Sequence, residues 1–148
     1  MVKIEKVNQV TLELLEAMLR LVPQLTSSSP PPTPEDLDAL LASECTHLFI
    51  ARDAASGLIA GMATLVVYRV PTGLRGYIED VVVDETARGQ GIGEALTHAC
   101  LNAAKKAGAP QVDLTSHPGR VAANVLYRKM GFEQRNTNVY RFVFKKGK

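Results

Sequence analysis

Three glycines on alternate positions, in Arg88-Gly89-Gln90-Gly91-Ile92-Gly93, stand between a run of valines and an amphipathic stretch. Glycine at the start of a helix gives up backbone entropy and packs no side chain, so three together cost stability unless the backbone itself is needed. The need is chemical. Amides in the first turn of a helix have no acceptor within it, and the helix dipole is positive there. Glycines clear the approach to those amides, and Arg88 adds a full charge beside them. The segment therefore predicts a loop that cradles a phosphate group, with a strand before it and a helix after it.

Two common nucleotide loops do not fit. A P-loop needs Lys followed by Ser or Thr after its last glycine, whereas Gly93 is followed by Glu94-Ala95. A dinucleotide fingerprint needs glycine or alanine three residues after its second glycine, and the two available frames put Glu94 or Leu96 there. Asp113 lies at the distance expected of a ribose-binding acid, but it falls within a strand whose predecessors form hairpins.

The rest of the chain supplies the frame. Val2 and Ile4 alternate with polar residues as in a short strand. A helix capped by Asn8 or Thr11 follows, with Val10, Leu14, Met18, Leu19 and Val22 on one face, and Pro23 is expected to end it. Residues 26–32, Thr-Ser-Ser-Ser-Pro-Pro-Pro, read as a surface loop, and Thr33 caps a short helix with Pro34 in its first turn. Strands are expected at 46–52, 58–68, 76–83, 111–115 and 139–144, and helices at 92–107 and 121–130. Hairpins come first and a strand–helix–strand unit second, which predicts a mixed sheet covered by helices.

With 148 residues, 46% of them hydrophobic, the chain is expected to be a single domain over 1–148. Seventeen basic residues against fifteen acidic ones are dispersed, so no nucleic acid or anionic membrane is expected as partner. No apolar stretch has the length of a membrane span and the first residues lack the apolar core of a signal peptide, which together predict a cytoplasmic protein. Cys45 and Cys100 sit among apolar neighbours and are read as free thiols. His47, His98 and His117 share no metal-ligand spacing, so no metal is expected.

Arg88-x-x-Gly91-x-Gly93, together with the preceding Tyr77-Ile78-Glu79-Asp80-Val81-Val82-Val83-Asp84, closely resembles the acetyl-CoA-binding segment of the GNAT superfamily of N-acetyltransferases. The resemblance extends to Ala123-x-x-x-Tyr127-x-x-x-Gly131-Phe132, similar to a second signature of that family in the same order and spacing. It covers about residues 46 to 144. It implies an α/β (α+β) fold, a twisted mixed sheet of six or seven strands flanked by about four helices. It also implies acetyl-CoA as co-substrate and an amine as acetyl acceptor.

Carried over residue by residue, the resemblance makes the backbone of Val81 and Val83, with Val82 between them, the partner of the pantetheine arm. Arg88, Gly89, Gln90, Gly91, Ile92, Gly93 and Glu94 would hold the pyrophosphate. Where family members often carry a cofactor-contacting Asn, seven residues before the tyrosine, this chain has Arg120; Asn124 lies nearby but offset. Tyr127 is implied as general acid for the departing sulfur, alongside a cofactor contact, and a phenol with pKa about 10 suits that task. A free alkyl amine, also near pKa about 10, needs a base. Strand alternation places Tyr77, Glu79, Val81 and Val83 on one face and Ile78, Asp80 and Val82 on the other, so only one acid of the pair is expected to face the acceptor. Residues 77–80 resemble polyamine and glucosamine-6-phosphate acetyltransferases, which selects Glu79 and a small-molecule primary amine. Other readings stay open: a protein or peptide N-acetyltransferase, a non-catalytic acyl-CoA-binding regulatory module, or an interaction protein with a vestigial loop. Residues 139–144 are expected to form an exposed or shared edge strand, and with it a homodimer.

Overall fold

Alternating apolar residues between Val2 and Val83 make four strands that pair in chain order. The computed structural model describes residues 1–146 and divides the chain into two units, Met1–Thr115 and Ser116–Lys148. The first contains strands β1 (Val2–Lys6), β2 (Thr46–Asp53), β3 (Ile59–Val70), β4 (Gly73–Val83) and β5 (Val112–Asp113), and helices α1 (Leu12–Leu25), α2 (Pro34–Ala42) and α3 (Ile92–Ala107). The second contains α4 (Val121–Lys129).

The sheet has the order β1-β2-β3-β4-β5. Its first four strands are antiparallel, and β5 returns parallel to β4 after the α3 crossover. One face packs on α1 and α2: Leu14, Met18, Leu21 and Leu37 form a buried cluster with Leu48, Ile50, Ile59, Met62 and Val82. The other face receives α3, whose Ile92, Leu96, Cys100 and Ala104 repeat every four residues and are almost fully buried. Local chemistry sets the helix ends. Thr11 Oγ1 accepts from the Leu14 amide at 3.1 Å. Thr33 and Asp36 form a reciprocal capping box with Pro34 at the first helical position.

Several boundaries differ from expectation. α1 runs through Pro23 to Leu25, because a proline in the last turn forfeits one hydrogen bond and the helix then closes with Thr26 N–H on Val22 O. The expected strand 111–115 shrinks to Val112–Asp113, and 139–144 forms no strand, so the sheet has five strands among the described residues rather than six or seven. A strand exists only where a neighbour takes its backbone groups. In 139–144 the side chains of Val139, Tyr140, Phe142, Val143 and Phe144 are instead 73–88% exposed.

Candidate active site

The two halves of β4 differ. From Gly73 to Ile78 the strand pairs residue for residue with β3, and Gly76 and Tyr77 also pair with Val112 and Asp113 of β5. The β5 ladder stops there. From Glu79 to Val83, β4 keeps only β3 as its neighbour among the described residues. Residues 81–83 therefore have no second strand beside them among the described residues.

A bulge sits where the second ladder ends. Thr64 pairs with Glu79 and Met62 with Val82, so Asp80 and Val81 together oppose Ala63. Asp80 takes φ 51°, the one positive φ among described residues other than glycine. The extra residue resets the alternation. Cross-strand partners share a face, so Tyr77, Glu79 and Val82 lie on the α1/α2 side with Val66, Thr64 and Met62, while Val83 lies with Gly61 on the α3 side. The strict alternation expected from the sequence is therefore corrected beyond Glu79. Both acids of the pair are exposed, Val82 is buried in the core, and Val81 and Val83 are half-buried.

Beyond Val83 the chain turns through Asp84 into a single 3-10 turn, Glu85–Ala87. Arg88 Nε folds back onto Val83 O at 3.2 Å. Gly89 and Gly91 both adopt left-handed φ, 80° and 79°, which other residues rarely take, and a Cβ at either would meet open space. Steric room is thus not what selects glycine; the backbone turn and access from outside are. Gly91 is the N-cap of α3 and offers no side-chain cap, so the first α3 amides have no acceptor from that residue. The first intrahelical bond runs from Ala95 N–H to Gly91 O. Residues 88–91 are exposed, and a helix start beside Arg88 has the positive character that suits an anion. Gly93 lies inside the first turn, where its carbonyl accepts the Thr97 hydroxyl, and Glu94 lies 3.8 Å from His98.

In the second unit Tyr127 is buried near the end of α4, its ring edge-on to Phe132 at 5.6 Å. The Phe132 amide donates to Tyr127 O at 2.9 Å after the turn at Gly131, which explains the spacing of tyrosine and Gly-Phe. Asn124 Nδ2 donates to the carbonyls of His117 and Arg120 at 2.9 and 2.8 Å, and Arg120 is the N-cap residue of α4. Asn124 thus secures the start of its own helix. His117 Nδ1 accepts from the Gly119 amide in the same loop.

Burial pushes the Cys100 thiol up to about 12, so it holds its proton at neutral pH and offers no nucleophile. Among the described residues no group of three or more His, Cys, Asp and Glu is placed to hold a metal, and no helix is long and apolar enough to cross a membrane.

Sequence reasoning missed one group. Arg20 of α1 donates from Nε to Asp84 Oδ2 at 2.9 Å and from its fork to Ile59 O. Asp84 Oδ1 accepts from the Thr86 amide and hydroxyl at 3.1 and 3.0 Å. Burial alone raises the Asp84 pKa, but the Thr86 bonds and Arg20 outweigh it and hold the carboxyl below its ordinary value. The one local signal was an acid directly after a valine run; its partner lies 64 residues away.

Comparison with known proteins agrees with this geometry. The sequence profile described as the Acetyltransferase (GNAT) family matches residues 13–132. Glucosamine 6-phosphate N-acetyltransferase 1 of Oryza sativa subsp. japonica is 34% identical over 135 residues, covering 86% of this chain and 79% of its own. N-alpha-acetyltransferase 30 of Schizosaccharomyces pombe is 38% identical over 71 residues, 48% of this chain and 47% of its own. The crystal structure of an aminoglycoside acetyltransferase from an uncultured soil metagenomic sample, in complex with sisomicin, superposes with a TM-score of 0.83 at 23% identity, covering 98% of this chain and 97% of that one. At that identity it is the fold that is shared.

Proposed function

The chain belongs to the acetyltransferase (GNAT) family, whose members use acetyl-CoA, and we propose that it transfers the acetyl group to a primary amine of a small molecule by direct attack. The observation that carries this is the half of β4 beyond the β5 ladder, where a bulge and two exposed acids precede the glycine loop. Similarity to an amino-sugar phosphate acetyltransferase over most of both chains supports a small acceptor.

Acetyl-CoA supplies a thioester whose carbonyl carbon accepts the amine and whose sulfur departs. The backbone of Val81–Val83, which has no second strand beside it among the described residues, offers its outer edge to an extended arm, as an added strand would be held. Residues 88–94 offer amides and the Arg88 charge to the pyrophosphate. Glu79 takes the proton of the ammonium, directly or through water, since an amine of pKa about 10 is mostly protonated at neutral pH. Tyr127 donates a hydrogen bond or proton where sulfur charge develops. Both units, 1–148, then work as one acetyltransferase domain.

The proposal extends to a cytoplasmic homodimer: Cys45 and Cys100 are both free thiols, and the exposed apolar side chains of 139–144 are of the kind a second copy would cover. Sedimentation velocity is expected to give twice the chain mass, and a monomer would remove that part.

The acceptor is tested by following free-thiol release from acetyl-CoA with polyamines, amino sugars, amino acids and peptides. Release with a small amine at higher kcat/KM than with any peptide is the expected result. The half-length match to an N-alpha-acetyltransferase gives the second reading, a peptide N-terminus as acceptor, and a preference for peptides would establish it instead. Acetyl-CoA binding without amine-dependent release would mark a non-catalytic binding module.

A further inference from the structure

The phosphate loop is held at one end by contacts that the proposed chemistry does not itself use. Asp84 is buried although charged, 8% exposed, and its backbone N–H donates to Ala60 O at 2.8 Å. One carboxylate oxygen accepts from Arg20, and the other closes the 3-10 turn through Thr86. A second strut lies beside the first: the Glu85 amide donates to Gln24 Oε1 at 2.8 Å, and Gln24 Nε2 donates to Arg20 O at 3.1 Å. Arg20 and Gln24 are one helical turn apart, so a single face of α1 grips two successive residues of the turn. The Arg20 fork also holds Ile59 O at the start of β3. Between this anchored turn and the first residue of α3, residues 88–91 include two left-handed glycines and have little stiffness of their own.

We propose that Arg20, acting through Asp84 and seconded by Gln24, is a positioning residue that sets the direction in which the loop presents its amides to the cofactor's pyrophosphate. This deepens the acetyl-CoA assignment and rests on it. Arg20 need not touch the cofactor; it fixes where the 3-10 turn ends, and so where Arg88, Gly89 and Gly91 begin. An anion held by several backbone donors at once is sensitive to their relative placement, and small misplacements far from the reacting atoms are costly. A planar fork that satisfies a carboxylate and a carbonyl together is suited to fixing a direction.

The test compares two thioester donors, acetyl-CoA and acetyl-pantetheine, which lacks the pyrophosphate. Arg20→Gln and Asp84→Asn are each expected to raise the KM for acetyl-CoA about tenfold with kcat at saturation little changed, while kcat/KM for acetyl-pantetheine stays within about twofold. The double variant is expected to be no worse than either single one, because both act along one path. Equal losses with both donors would show a merely structural role and overturn the proposal. So would an unchanged KM for acetyl-CoA, or additive effects in the double variant. If Arg20→Gln fails to fold, Gln24→Ala removes the acceptor for the Glu85 amide together with the bond to Arg20 O, leaves the Arg20–Asp84 pair in place, and is expected to raise that KM about threefold, again without touching acetyl-pantetheine. Unchanged behaviour there overturns the proposal equally. Wild-type protein that uses the two donors equally well would refute the loop's cofactor role itself, which is a separate failure.

Discussion

Within a single strand, residues 73–78 of β4 are held by β3 throughout and by β5 at Gly76 and Tyr77, whereas residues 79–83 have β3 alone. The first half buries Ile78 and has regular register; the second carries a bulge, a left-handed aspartate and two exposed acids. The physical lesson is that a sheet makes a binding edge by withholding a neighbour. Backbone groups at 81–83 that a longer β5 would have satisfied have no strand beside them among the described residues, which is where the proposal seats the extended arm of the cofactor. The bulge then lets Glu79 and Val82 share a face although an odd number of positions separates them, so an exposed acid and a core anchor sit on one side of the sheet.

The comparison breaks if the two halves respond alike to substitution. The largest effect is expected at Ile78, 3% exposed, where Ile78→Ala should cost about 3 kcal/mol in chemical denaturation yet leave kcat per folded molecule unchanged. A large fall in kcat at full folding would erase the division of labour. Glu79→Gln and Tyr127→Phe should do the reverse, each lowering kcat about a hundredfold while Tm and acetyl-CoA affinity move little. For Glu79→Gln the acidic limb of the pH–rate profile should also disappear, and an unchanged limb would remove Glu79 as base.

The bulge is tested by Asp80→Val. A β-branched residue at φ 51° should destabilise the fold by about 1–2 kcal/mol, more than the same change at an exposed position of ordinary φ. Asp80→Gly should keep or slightly raise the stability. The smallest effect concerns Asp84, whose pKa is lowered in the folded protein, so its contribution is present above the ordinary carboxylate value of about 4 and is lost as pH falls through the lowered folded value. The Tm difference between wild type and Asp84→Asn should therefore shrink below about pH 4, and a difference that grows on acidification would reverse the sign.

Much of this was legible beforehand because it depends on local chemistry. Thr33-Pro34-Glu35-Asp36 reads as a helix start from four residues, and Thr33 caps the helix as expected, with Asp36 closing a reciprocal box that the structure adds. The order of hairpins, crossover helix and final helix followed from periodicity and turn residues, and the loop at 88–93 from its glycines. The failures have a common cause. Whether 111–115 is a strand of five residues or two depends on how far β4 stays beside it, and 139–144 has strand-like residues without a neighbour among the described residues to make it one. The alternation rule failed at Asp80 because a bulge is a property of two strands, and the facing positions Met62, Ala63 and Thr64 carry no mark of it in their own sequence. Arg20 was invisible for the same reason, since a mid-helix arginine 64 residues from its carboxylate looks like any solvated charge.

Sequence by itself therefore determined that a glycine turn opens a helix, that the helix follows a valine-rich strand, and that a tyrosine and a Gly-Phe turn come later at the family's spacing. Those are requirements of φ, of capping and of side-chain chemistry, each satisfied within a few residues. Tertiary structure alone decided where β4 loses its neighbour, which way Glu79 and Asp80 face, and what anchors the loop. Each of these is set by what lies opposite in space, and nothing in a residue's immediate neighbours along the chain specifies that.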